Sequence, residues 1–286
     1  MLEATGNLLR ITPYEVAFAD TAYESEVFPA IAADAQFHGS DPLRLEPFSM
    51  LPATSEAVRS FVPPEAPAEA VEQYRTLLYH GYNYWSLGHT TYLLHPAAAR
   101  FLVEAQPSME GWELVLPRPS FYIQLPQNLF WGSIAPDATP EQVDGMFVTG
   151  YPVTGRSGDL FQRLEVLMVL GLRRDRAGFS VIPFDTEAGP GIASLWADAG
   201  TRDSGTEFES VLPGGAMSGL YSLVTVGEVL KLLGRILWYI DTFPGDVSEK
   251  ITSAQAEAGE EPRFVPVSRL PYRLITLGRD SGPNVP

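Results

Sequence analysis

Three of the four histidines, His80, His89 and His95, crowd into the stretch YHGYNYWSLGHTTYLLH, the most aromatic part of the chain; His38 stands alone. Imidazoles change charge near neutral pH, so they serve as general bases and metal ligands. A base also needs an orienting group, and Asp185 suits that role. It follows the apolar run Phe179–Phe184, where a side chain emerges at the rim of a sheet. The catalytic set this suggests is His80 or His89 as base with Asp185 as orienter. The competing role for the histidines is hydrogen bonding within an aromatic surface or core. Neither HExxH nor HxH is present, so no metal and no cofactor is expected.

Carboxylates form a second group: Asp185, Glu187, Asp198, Asp203, Glu207 and Glu209, with Asp159 and Glu165 upstream. Such residues hold divalent cations or act as an acid/base pair, but their spacing matches no EF-hand loop. On a chain with 35 acidic residues a solvated loop is the simpler explanation. A third feature, Gly214-Gly215-Ala216-Met217-Ser218-Gly219, copies the glycine spacing of a phosphate-binding loop. It lacks the Lys and Ser/Thr that should follow, and Ser218 as a helix N-cap accounts for it more simply. No GxSxG elbow and no GxGxxG after a strand occurs, and there is no cysteine to act as nucleophile, thiolate ligand or disulfide.

Charge narrows the partners. The net charge of −16 repels nucleic acid and anionic membranes, and the densest basic patch, Arg173, Arg174 and Arg176, reads as a solvated hairpin tip. The long apolar run 219–240 carries Glu228, Lys231 and Arg235, each costing about 2.5–3.5 kcal/mol at a bilayer centre. It is therefore expected as a buried helix, with no membrane and no nucleic acid as partner. The N-terminus lacks the basic flank and apolar core of an export signal, which points to the cytoplasm.

The elements that must position these residues read as α+β. Short runs rich in aromatic and β-branched residues, bounded by Pro and Gly, predict strands: 112–116, 121–125, 129–134, 145–151 and 179–184. Residues 164–172 are a buried strand or part of a helix over 159–174. Prolines 117, 119 and 126 place the strand 120–125 at an edge or bend it at both ends. Helices are predicted over 64–79, ending at Gly81, over 96–105, and over 218–241 as an apolar roof. Residues 263–278 return as one or two strands at the edge of the sheet, and 246–262 form an exposed helix or linker. Short gaps favour a mainly antiparallel, bent sheet covering about 112–184.

Residues 1–63 show no sustained period and read as an irregular N-terminal arm: short strands at 8–11 and 14–18, a helix broken near Pro29, and an extended loop over 40–52. Residues 64–278 form a single α+β domain, and 279–286 a tail. An arm this apolar lies across its own domain or a partner. The favoured function is a non-catalytic binding or assembly protein, with a protein partner or a homo-oligomer. The alternative is a hydrolase or transferase, its site between the His80–His95 stretch and the acidic loop 185–209.

Overall fold

The computed structural model describes residues 9–104, 111–134, 138–155, 158–172, 178–188, 226–250 and 268–278. An eight-stranded mixed sheet runs through the described residues. Its strands are β1 (Thr91–Leu94), β2 (Ser120–Gln124), β3 (Trp131–Gly132), β4 (Glu141–Thr154), β5 (Leu160–Leu170), β6 (Ser180–Ala188), β7 (Val247–Lys250) and β8 (Tyr272–Ile275). The order is β6-β5-β4-β2-β1-β8-β7, with β3 paired to β4. Most pairs are antiparallel, as the short gaps require; β1 lies parallel to both β2 and β8. The β1–β2 crossover carries a helix, α6 (Pro96–Glu104), as parallel neighbours demand.

Helices cover both faces. Against one lie α6 and α7 (Val226–Thr242), where Leu102, Leu230, Leu233, Ile236 and Tyr239 meet Phe121, Ile123, Met146, Val148, Val166 and Met168. Ten of the seventeen residues of α7 are buried, which makes it the apolar roof expected from its sequence; residues 218–225 lie outside the described residues. Against the other face lies α5 (Ala68–Ser86), whose Leu78, Tyr79, Tyr82 and Tyr84 join Tyr122, Phe147, Leu167 and Val169. Burial from both sides explains why β5 is a continuous apolar run, and it resolves residues 164–172 as strand.

The N-terminal third corrects the sequence reading most. In place of an irregular arm it forms α1 (Pro13–Ala17), a π-turn (Tyr23–Val27) leading into α2 (Phe28–His38), α3 (Leu45–Met50) and α4 (Pro52–Phe61). Residues 14–18, read as a strand, lie largely in α1, and the loop read over 40–52 contains α3. Helices α1 and α3, of five and six residues, are too short to show a period, and Pro13 and Pro52 open α1 and α4 at the first position, where the missing N–H costs nothing. Thr12 and Glu15 form a capping box on α1. Tyr14, Phe18, Phe28 and Phe48 are fully buried against α5 and the sheet, so the region packs on its own domain.

Smaller departures have local causes. Gly81 does not end α5; a Cβ there would fall 2.3 Å from the Phe18 ring, so the glycine admits α1. The helix ends at Ser86, followed by the left-handed pair Gly88 and His89. Strand β2 is central, because Pro119 and Pro126 stand just outside its five residues and remove no ladder donor. The 112–116 run forms no strand, and of 129–134 only Trp131–Gly132 pairs. Within 246–262, Val247–Lys250 is a strand, and 251–262 lie outside the described residues, as does the 279–286 tail.

One buried ion pair ties the N-terminus to this frame. Between Val143 and Gly145 the β4–β5 register slips by one residue, leaving Asp144 as a bulge that bends the strand. Its Oδ1 meets Arg10 Nη2 at 3.4 Å, and Oδ2 accepts the Leu172 N–H at 2.7 Å. The Gln124 amide grips Arg10 from both sides, accepting its N–H at 3.1 Å and donating to its carbonyl at 3.3 Å. Burial pushes the Asp144 carboxyl up to about 6, while Arg10, the Leu172 N–H and Gln142 pull it down and Glu141 adds a further upward push.

That folded value lies above the unfolded one of about 3.9. The stabilisation from this carboxyl is thus fullest in acid and is lost as pH rises through about 6. Arg10→Met, which strands the carboxylate, should cost about 3–5 kcal/mol in urea unfolding at pH 8. The deficit should shrink at pH 5, where a protonated Asp144 needs no counter-charge; an equal deficit at both pH values would show that the pairing is not what Arg10 contributes.

Candidate functional site

Both core faces are sealed by aliphatic and aromatic side chains, so a site on this frame must lie where the sheet's polar rows reach solvent. One row, directly opposite across four strands, reads Ser120, Thr149, Glu165, Asp185; the next reads Tyr151, Arg163, Glu187 across three. Residues opposite one another share a face, so both rows lie on the side covered by α5 and the N-terminal helices.

His80 sits at the closed end of the first row. It is fully buried, its Nδ1 is 3.2 Å from Thr149 Oγ1, and Thr149 is 3.1 Å from Ser120 Oγ. The ring lies along Phe147 at 6.2 Å, and Nε2 has no partner. Burial alone lowers the imidazole to about 3, which fixes it as neutral. His89 lies beyond α5, half-buried in the left-handed conformation with its ring edge-on to Tyr14 at 4.8 Å and Tyr84 at 5.2 Å. Burial lowers it as well, against an upward pull from Glu24 and Glu15. His95 accepts the Ala97 N–H at 3.2 Å, capping α6. The histidines that cluster in sequence thus serve separate structural posts.

Asp185 does reach a rim, from within β6 rather than beyond it, because the strand continues to Ala188. It accepts from Arg163 Nη2 at 2.9 Å. Arg163 also donates through Nε to Glu165 Oε1 at 3.0 Å and through Nη1 to Glu187 at 2.9 Å, so one guanidinium holds three carboxylates. The carboxylates outweigh the cost of its burial and raise its pKa further. The Tyr151 hydroxyl donates to the same Glu165 Oε1 at 3.0 Å, and the Arg44 guanidinium lies 5.6 Å over the Tyr151 ring. Burial and then the Glu165 charge push the Tyr151 hydroxyl upward, so it stays protonated and donates.

Arg44, Tyr151, Arg163, Glu165 and Glu187 line an open groove of about 510 Å³ between the start of α3 and the ends of β4, β5 and β6, with Asp185 bonded to Arg163. Sequence reading found two of its residues, Glu165 and Glu187, and missed Arg44, Tyr151 and Arg163. The available signal was the alternation in QRLEV, which puts Arg163 and Glu165 on one face; nothing local announces Arg44. Of the acidic loop, 189–209 lie outside the described residues, as does the glycine run 214–219. Among the described residues no group of three metal-ligating side chains converges, and no helix is long and apolar enough to cross a membrane.

The folded His80 value of about 3 lies below the unfolded one of about 6.5, so its stabilisation is present above about 6.5 and is lost as pH falls towards 3. His80→Phe keeps the ring and removes the titration. The stability lost between pH 7 and pH 4.5 should be smaller in that variant by about 2 kcal/mol. Chemical denaturation at the two pH values measures it, and an unchanged loss would contradict a sealed neutral imidazole.

No protein-family model matches the chain, and no curated protein matches it. Among solved structures, the crystal structure of AcrVA2 superposes over 92% of this chain and 81% of that chain, with a TM-score of 0.46 and 13% sequence identity. That overlap is too slight to carry a role from one protein to the other.

Proposed function

We propose that this chain is a non-catalytic binding or assembly protein that acts through protein–protein contacts, with the Tyr151 groove at the contact. The observation that carries this reading is the use of Arg163. Its guanidinium is committed to Glu165, Asp185 and Glu187, so the groove presents a fixed charge pattern. Recognition surfaces are built that way: several fully formed pairs fix orientation and leave little freedom to titrate. Acid–base chemistry asks instead for a group that can give up its proton within reach of a substrate. Here His80 is enclosed on the buried face of α5, and the Tyr151 proton is held by Glu165.

A second feature supports a macromolecular partner. Helix α3 contributes Leu45, Glu46 and Pro47 to the groove, and Met50, at its other end, is 76% exposed. At 1.5 Å per residue the exposed methionine lies about 4.5 Å along the axis from Pro47, the nearest groove residue of α3. A partner seated in the groove with an ordinary footprint of about 800 Å² covers both.

Light scattering on the purified full chain and capture on the immobilised chain test this together. The expected result is self-association or a purified binder whose affinity falls at least tenfold in Met50→Asp. A monomer at every concentration, whose bound proteins are the same for wild type, Met50→Asp and Glu165→Gln, would overturn it.

A further inference from the structure

We infer that the groove is a receptor for one cationic side chain, the guanidinium or ammonium of a partner's Arg or Lys, and that Arg44 occupies its mouth until that cation arrives. This deepens the binding reading given above and rests on it. The first ground is Glu165. Its side chain is only 8% exposed, and Oε1 takes both of its hydrogen bonds, from Tyr151 and from Arg163. Oε2 accepts from no donor among the described residues, yet it is not among the fully enclosed atoms that lack a partner. The residue lines the groove, so the free oxygen opens into it. A carboxylate held nine-tenths out of water with one oxygen unmatched is a strong acceptor awaiting a donor, and a charged donor makes the strongest bond to it.

Charge supplies the second ground. Glu46, Glu165 and Glu187 line the groove with Arg44 and Arg163, so its carboxylates outnumber its guanidiniums by one. The chain as a whole carries −16, which draws a basic partner from further away. An anionic ligand would meet Glu165 and Glu187 and be repelled. The third ground is Arg44, a guanidinium already placed over the Tyr151 ring at 5.6 Å, lining the same groove as Glu165 and bonded to no carboxylate among the described residues. It shows that the ring accepts a cation, and it is the group an incoming cation displaces.

Opposite signs for two substitutions test this. The probes are Nα-acetyl-arginine amide and Nα-acetyl-lysine amide, titrated into the full chain at low salt and followed by side-chain NMR of Tyr151 and the glutamates. Nα-acetyl-citrulline amide, the neutral isostere, serves as control. Saturable binding of the cationic probes is expected, tighter in Arg44→Ala and about tenfold weaker in Glu165→Gln. Glu187→Gln, at a half-exposed position that leaves the buried network in place, should weaken it less.

Equal binding of the citrulline probe, or unchanged affinity in Glu165→Gln and Arg44→Ala, would overturn the site. So would the lack of any saturable binding to wild type and Arg44→Ala. The broader reading fails separately. If the cations bind as described but no Met50-dependent partner or self-association exists, the receptor stands and the binding function falls. Partner binding that needs Met50 and ignores Glu165 gives the reverse.

Discussion

Strands β4 and β5 are covered on both faces, and that constraint governs every polar atom in the middle of the molecule. A sheet with one wet face can leave hydroxyls and carboxylates to solvent. This one cannot, so each polar side chain on the pair must find a partner inside the protein or lie where the cover ends. Thr149 answers with His80 and Ser120. Glu165, directly opposite it on β5, answers with Tyr151 and Arg163, and one strand further out the row reaches Asp185. The same line of residues changes from sealed core to open groove within four strands.

Asp144 shows how a carboxylate survives deeper in. A bulge turns it off the ladder, and Gly145 beside it lets β4 press so near β2 that a Cβ would sit 2.2 Å from the Ile123 carbonyl. The cation that meets it comes from the far end of the chain. An apolar pair of the same volume would often hold a core as well or better, so the arrangement is better understood as fixing position than as adding stability. It allows residues 9–12 to enter the fold in one place, with the Gln124 amide reading their backbone as a neighbouring strand would.

What the sequence disclosed follows from how local each signal is. Helix α7 and the strands of the central block announce themselves through unbroken apolar periodicity, and the α+β class with its mostly antiparallel sheet follows from the short gaps between strands. The N-terminal helices do not, since a five-residue helix has no period to read; the one local clue to α1 was Thr12 with Glu15, a capping pair inside TPYE. The histidines misled because nearness in sequence is not nearness of function: nine residues, about two and a half helical turns, separate His80 on the buried face of α5 from His89 past its end. Asp185 emerged at a rim, as its place after an apolar run suggests. Its partner Arg163 lies 22 residues earlier in sequence and is opposite it only through strand pairing, which no spacing rule reveals.

The anchoring of Arg10 also orders events in time. Its contacts to Gln124 and Asp144 span 114 and 134 residues, so the leading segment cannot take its final place until β2 and the bulge of β4 exist. Closing loops of that length is entropically slow, while the β4–β5–β6 meander closes short ones. Tyr14 and Phe28 can meet Tyr82, Tyr84 and Trp85 as soon as α5 exists, whereas Arg10 must wait for a surface synthesised more than a hundred residues after it. The clasp of Arg10 on Gln124 and Asp144 therefore closes only after the strands it joins have formed.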